Sequence, residues 1–168
     1  MGSRLAPRRG YGIAVARCGN IYGGGDLNWS RIVPGTTRSL IAGERPVLRS
    51  DGKSIRDYVY VRDVVSAYLT LAERAAEPGV TGEAFNFSPE LGYTVLEIVE
   101  AVGVALGVAA NPTILDTATM EIRDQTLDAT KARERLNWRP SWSLERGLDE
   151  TVTWYRKHLP WAPPSVLI

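Results

Sequence analysis

One stretch constrains this chain more than any other: Ile13-Ala14-Val15-Ala16-Arg17-Cys18-Gly19-Asn20-Ile21-Tyr22-Gly23-Gly24-Gly25-Asp26. An apolar run, Ile13 to Ala16, gives way abruptly to polar and glycine positions. Apolar character on both faces is the mark of a buried parallel strand, and a polar exit at its carboxyl end delivers side chains to a ligand crevice. Asn20 stands just past that strand, where its amide can face a bound molecule. Gly23, Gly24 and Gly25 allow the backbone to turn through positive φ and approach a ligand closely. The commoner use of such a glycine run is a flexible loop.

The rest of the chain fits an alternation of strands and helices. Arg31 to Ala42 is expected as a helix, with Pro34 tolerated in its first turn and Gly43 as the stop. Pro46 to Arg49 and Ser54 to Val61 are expected as two short strands around the turn Ser50-Asp51-Gly52, paired as a hairpin or separate. Asp63 is the expected N-cap of a helix carrying Val64, Val65, Tyr68, Leu69, Leu71 and Ala72, which fades before Pro78-Gly79. Ala84 to Phe87 is a short apolar strand. Thr94 and Glu97 form a capping box for a helix that runs to Leu106 and closes at Gly107. A strand is expected at Thr113 to Leu115. Asp128 caps a short helix to Leu136, with Asn137 in the C-terminal position that glycine often fills. Ser143 caps a last helix with the stripe Leu144, Leu148, Val152 and Tyr155. This is α/β architecture with a mixed sheet. The leader 1–10 is expected to be disordered or a segment foreign to the rest of the domain, and the proline-containing tail 159–168 to be loose.

Composition narrows the partners. At 168 residues the chain is long enough for one real core, with 44% apolar and 23% charged residues. A net charge of +1 gives no reason to expect nucleic acid or an anionic membrane surface. No apolar run approaches the roughly 20 residues of a membrane span. No apolar segment of signal-peptide type follows the basic Met1 to Gly10, so the cytoplasm is the expected compartment. The single cysteine, Cys18, excludes an internal disulfide and a thiolate metal cluster, and reads as a small buried side chain. The single histidine, His158, reads as a helix-end residue favoured by the dipole there. No metal-ligand spacing and no carboxylate pair for acid/base work occurs.

Three polar groups follow strands in the manner of a ligand crevice: Asn20, Arg56-Asp57 and Asn86. Arg56 interrupts an otherwise apolar strand. Its guanidinium could take a phosphate or diphosphate bidentately; the alternatives are a pair with Asp57 or a snorkelling surface residue. Arg123, in an irregular region, could supply a further contact or lie in a solvated loop. Trp138, Trp142 and Trp154 read as packing.

Arg17-Cys18-Gly19-Asn20-Ile21-Tyr22-Gly23, then Gly52 to Asp63, Phe85-Asn86-Phe87, Leu127 to Ala132, Leu136-Asn137-Trp138-Arg139-Pro140 and Thr151 to Tyr155 occur in one order. This order, from about Tyr11 to His158, resembles the C-terminal, substrate-binding half of the NAD-dependent epimerase/dehydratase family, the extended short-chain dehydrogenase/reductases of nucleotide sugars. Gly23 to Asp26 followed by Arg31-Ile32-Val33-Pro34 is most similar to its CDP-glucose 4,6-dehydratase branch. The resemblance implies a partial Rossmann-type sheet plus the small mixed α/β substrate-binding subdomain. It implies that Asn20 and Arg56 meet the diphosphate of a CDP-, UDP- or dTDP-hexose, that the helix after Gly25 lies over the nucleotide, and that Asn86 and Arg123 help build the site. In such an enzyme NAD oxidises the sugar at C4, water leaves across C5 and C6, and hydride returns.

The family's Gly-x-Gly-x-x-Gly fingerprint and catalytic Tyr-x-x-x-Lys do not occur: each of the 7 tyrosines is followed four positions on by a residue other than lysine. Hydride transfer needs a bound nicotinamide and an activated tyrosine. The expectation is therefore an inactive fragment with no catalytic residue of its own and no NAD bound: a truncated reading frame, a partial piece of the enzyme, or one half of a split enzyme whose N-terminal half is a separate chain. Alternatives are a non-catalytic nucleotide-sugar-binding or partner module, or a gene remnant. An unpaired strand edge and apolar patch should favour self-association.

Overall fold

The structure is a computed structural model that describes residues 12–118 and 122–159. Its elements follow the order β1 (Val15–Cys18), β2 (Asn20–Tyr22), α1 (Ile32–Ile41), β3 (Val47–Leu48), β4 (Ile55–Tyr60), α2 (Val61–Arg74), β5 (Ala84–Phe87), β6 (Gly92–Thr94), α3 (Val95–Leu106), β7 (Thr113–Ile114), β8 (Asp124–Gln125), α4 (Thr130–Leu136) and α5 (Leu144–His158). Two compact units share them. One holds residues 12–21, 57–91 and 126–142, the other 22–56, 92–118, 122–125 and 143–159. The leader 1–10 and all of the tail beyond Leu159 lie outside the described residues.

The first unit is built on β1 and β5, paired in parallel with Val15 opposite Ala84 and Cys18 opposite Phe87. A parallel pair needs a crossover, and α2 supplies a helix within it. Alternation in Ala84-Phe85-Asn86-Phe87 turns both phenylalanines into the core, where each is fully buried. Leu71 of α2, Ala132 and Leu136 of α4, and Trp138 close around them, with Ala14, Ala16 and Cys18 alongside. Trp138 meets Phe87 edge-on with ring centroids 4.9 Å apart, a geometry that the ring quadrupoles favour. Cys18 is half-buried rather than buried, and desolvation pushes its thiol pKa up.

Two capping expectations need correction here. Helix α2 starts at Val61 on Tyr60, before Asp63. Asp63 is buried in the first turn and accepts from Ser141 N and Oγ, each at 2.9 Å, and from Trp142 N at 3.2 Å. Its carboxylate ties the helix start to a distant segment instead of capping the helix. Likewise Ala129, not Asp128, is the N-cap of α4, while Asp128 accepts from Thr130 N at 2.7 Å. Asn137 does take the left-handed C-terminal position, at φ 52°.

In the second unit α1, α3 and α5 pack on one another, and the short strands pair in parallel: β3 with β7, β4 with β8. Of the two arrangements open to the strands around Asp51, a hairpin or separate strands, the structure has the second, because each finds a partner far along the chain. Helix α3 begins on the full capping box of Thr94 and Glu97 and ends on Gly107 at φ 73°. Ser143 caps α5 by accepting from Arg146 N. Along α5, Leu148, Val152 and Tyr155 are buried. The Tyr155 hydroxyl donates to the carbonyl of Asp26 at 2.5 Å.

Burial first, then the charge of Asp26, raises the pKa of Tyr155 far above its ordinary 10.0. The unfolded chain therefore ionises this phenol first. Its contribution to stability is full below about pH 10 and is lost as the pH climbs past that value. Urea unfolding should show the midpoint falling between about pH 9 and pH 11. Tyr155→Phe should lower stability at neutral pH by about 1 kcal/mol and flatten that alkaline decline.

Candidate functional site

In the first unit, the carboxyl ends of β1 and β5 lie side by side, with Arg17 in register with Asn86. The ladder continues one step beyond, where Gly19 N donates to Phe87 O at 3.2 Å. Asn20 follows directly and is exposed, its side chain making no hydrogen bond to the described residues. Asn86 is half-buried and donates from Nδ2 to the Asp128 carbonyl at 2.9 Å. These two amides are thus delivered to one end of a parallel pair, the end at which α/β proteins hold ligands.

Beside them lies a buried carboxylate, Asp57, which the sequence pairs with Arg56 as a candidate crevice group. Asp57 is 3% exposed and accepts from Ser88 Oγ at 2.5 Å and from Leu127 N at 3.0 Å. A Cβ on Gly19 would fall 2.4 Å from Asp57 Oδ1, so only glycine leaves room for the carboxylate there. A usable signal was present: an aspartate embedded in Arg56-Asp57-Tyr58-Val59-Tyr60 is buried, and a buried charge must be hydrogen-bonded.

In the second unit, Arg56 and Arg123 come together through the backbone. Arg56 Nη1 donates to Ile55 O at 2.7 Å and Arg123 O at 3.2 Å, and Nη2 donates to Ile122 O at 2.5 Å. Neither alternative weighed for Arg56 against a phosphate fork is realised, since its guanidinium clamps carbonyls of the segment entering β8. Arg123 itself is exposed and pairs with Asp51 at 3.3 Å. The Asp51 carboxyl is held below its usual range, by the Lys53 backbone N–H first and Arg123 after it.

The glycine run behaves differently from a ligand cradle. Gly25 has a positive φ of 91°, but the close approach is at Gly24, where a Cβ would lie 2.4 Å from Trp154 Cγ. The backbone there comes close to an indole. That indole also meets Tyr155 edge-on and stacks on His158 at 4.6 Å, which makes Trp154 packing, as expected. His158 ends α5, also as expected.

A dinucleotide pyrophosphate sits on an uncapped helix N-terminus behind a glycine turn. Strand β4 passes straight into α2, whose first turn holds the Asp63 carboxylate, and α3 starts on its own closed capping box. Helix α1, after the glycine run, starts on Arg31 with no side-chain cap and no acidic residue in its first turn. Among the described residues no group of three or more His, Cys, Asp or Glu could hold a metal ion, and no helix is long and apolar enough to cross a membrane.

A sequence model of the NAD dependent epimerase/dehydratase family matches residues 4–87. The chain belongs to this family. Among curated members, it is 32% identical to CDP-glucose 4,6-dehydratase of Salmonella typhimurium, over 89% of this chain and 42% of that protein. Among solved members, it is similar to UDP-glucose 4-epimerase of Thermotoga maritima with UDP-glucose: TM-score 0.78, 36% identity, 87% of this chain and 46% of the other. The dTDP-glucose 4,6-dehydratase of Bacillus anthracis in complex with NAD superposes with a TM-score of 0.76 at 28% identity, covering 88% and 46%. The chain spans less than half the length of these family members. Their Rossmann-like α/β fold is the one expected from the sequence.

The packing at Gly24 is directly testable. Gly24→Ala should force Trp154 aside and lower stability by about 1–3 kcal/mol, read by urea unfolding. In a Trp154→Ala background the same substitution should change stability by less than half as much.

Proposed function

We propose that this chain is the substrate-binding half of a nucleotide-sugar 4,6-dehydratase or epimerase, holding the diphosphate of a CDP-, UDP- or dTDP-hexose. The observation that carries this reading is the delivery of Asn20 and Asn86 to one carboxyl end of the parallel β1–β5 pair. Membership of the family and likeness to an epimerase solved with UDP-glucose support it. Asn20 and Asn86 would donate amide hydrogens to ligand oxygens. Arg56 would turn its guanidinium from the carbonyls of residues 122 and 123 toward the anion, and Arg123 would add charge nearby in the sequence. On this reading the chain alone neither binds NAD nor turns over substrate. The fingerprint and the Tyr-x-x-x-Lys pair are missing from its sequence.

Isothermal titration of the purified chain with CDP-glucose, UDP-glucose, dTDP-glucose and NAD tests this. One nucleotide sugar should bind and NAD should not. Arg56→Ala should weaken that binding by about 10–100-fold, the worth of a hydrogen bond to a charged group. A folded chain that binds none of the three sugars would refute an independent binding module.

The same reading assigns a partner surface. Among the described residues β1 has β5 as its one strand partner. A groove of about 320 Å³ runs beside it, lined by Ile13, Ala14, Ala16, Tyr68, Leu71 and Ala72. Ile13, Val65, Tyr68 and Leu69 are all more than 40% exposed. Parallel strands are ordinarily covered on both faces, so a complementary half supplying a strand and helix would bury this surface. Expressed alone, the chain should self-associate with rising concentration in sizing and light scattering, and Tyr68→Glu should reduce this. A monodisperse monomer across the range would count against an open face.

A further inference from the structure

We infer that Asp57 is a positioning residue: its buried carboxylate fixes the placement of Asn20 relative to Asn86. Three segments meet on it. Gly19, against which Oδ1 is pressed, immediately precedes Asn20. Ser88, whose hydroxyl donates to Oδ2, comes two residues after Asn86. Leu127, whose N–H donates to the same oxygen, precedes Asp128, and the Asp128 carbonyl receives the Asn86 side chain. Every tether thus reaches a site amide within two residues or through one hydrogen bond.

An apolar residue at position 57 would fill the space but could not do this. Each carboxylate oxygen is acceptor-only with two lone pairs, so Oδ2 takes two donors from different segments while Oδ1 lies against a glycine. Burying a charge is unfavourable unless such donors meet it. Ser88 is itself held in place, since its Oγ accepts from Glu90 N at 2.8 Å, which aims its hydroxyl hydrogen at Asp57. Glu90 in turn accepts from Ala129 N at 2.9 Å and pairs with Arg133. The relay from Ser88 through Glu90 and the relay from Leu127 through Asp128 therefore both end at the start of α4. The Asn86 side chain is bonded there, rather than to a flexible loop.

The test is made on the ligand-free chain first, so that it does not depend on the binding reading above. In ¹⁵N-labelled protein the Leu127 amide should be protected from hydrogen exchange, and the Asn86 Nδ2 signals should stand apart from those of exposed asparagines. Asp57→Ala removes the oxygen that both donors meet. It should speed Leu127 exchange by about tenfold or more, one hydrogen bond's worth, and move the Asn86 signals toward the exposed range. The signals of core residues Ile98 and Leu148, in the other unit, should stay unchanged. Ser88→Ala, which removes only a hydroxyl, should move the Asn86 signals in the same direction and serves if Asp57→Ala does not fold.

Leu127 exchanging freely in the unsubstituted chain, or Asn86 signals unmoved by either substitution, would overturn the inference and leave Asp57 a packing residue. Affinity for whichever nucleotide sugar binds should fall about tenfold in Asp57→Ala; an unchanged affinity would likewise overturn it. If the unsubstituted chain binds none of the three sugars, the binding reading falls, and the tether is judged on the amide signals alone.

Discussion

Two four-residue strands paired in parallel bury little by themselves, and the first unit is organised around that constraint. β1 and β5 cannot be joined by a tight turn, so the chain must leave, form α2 and return before the ladder can close. What makes the return worthwhile is the inward face of β5. Phe85 and Phe87 are fully buried, and helix residues Leu71, Ala132 and Leu136 together with Trp138 are arranged over them. Each buried aromatic contributes on the order of 2–3 kcal/mol of burial free energy, enough to offset the ordering of short strands only because several act together. With the strands fixed, their carboxyl ends are fixed as well, and Asn20 and Asn86 come with them.

Much of this was legible because it is local. The helix over 95–106 could be read to the residue: Thr94 and Glu97 satisfy each other's backbone donors, and Gly107 adopts the left-handed turn that ends it. The strand Ala84 to Phe87 was equally plain, since its alternation matches a half-buried strand. Where the reading slipped, a distant partner decides. Strand β1 sits two residues later than its apolar run because its ladder is set by Ala84 to Phe87, while Ile13 contributes a carbonyl to Gly82 N. Asp63 has the composition of a cap, but Ser141 and Trp142 claim its oxygens. The choice between a hairpin and separate strands around Asp51 is likewise made at a distance: β7 pairs with β3 and β8 with β4.

The site residues were legible as residue types and less so as geometry. Two amides at strand exits and an arginine at the amino end of β4 point to an anionic ligand, and the order of motifs points to the family to which the chain belongs. What spacing could not supply was the use made of each group. Gly24 admits an indole where a ligand was expected. Asp57, one position from the arginine that drew attention, ties down the backbone around the amides.

The carbonyl clamp on Arg56 carries a consequence for recognition. Three backbone oxygens, from Ile55, Ile122 and Arg123, already take three of the five N–H donors of its guanidinium. An incoming anion does not meet a waiting fork; it competes with the protein's own backbone for it. The observed affinity for any such anion is then the intrinsic affinity scaled by the fraction of chains in which Arg56 is released. Whatever draws residues 122 and 123 away would sharpen recognition without touching the ligand.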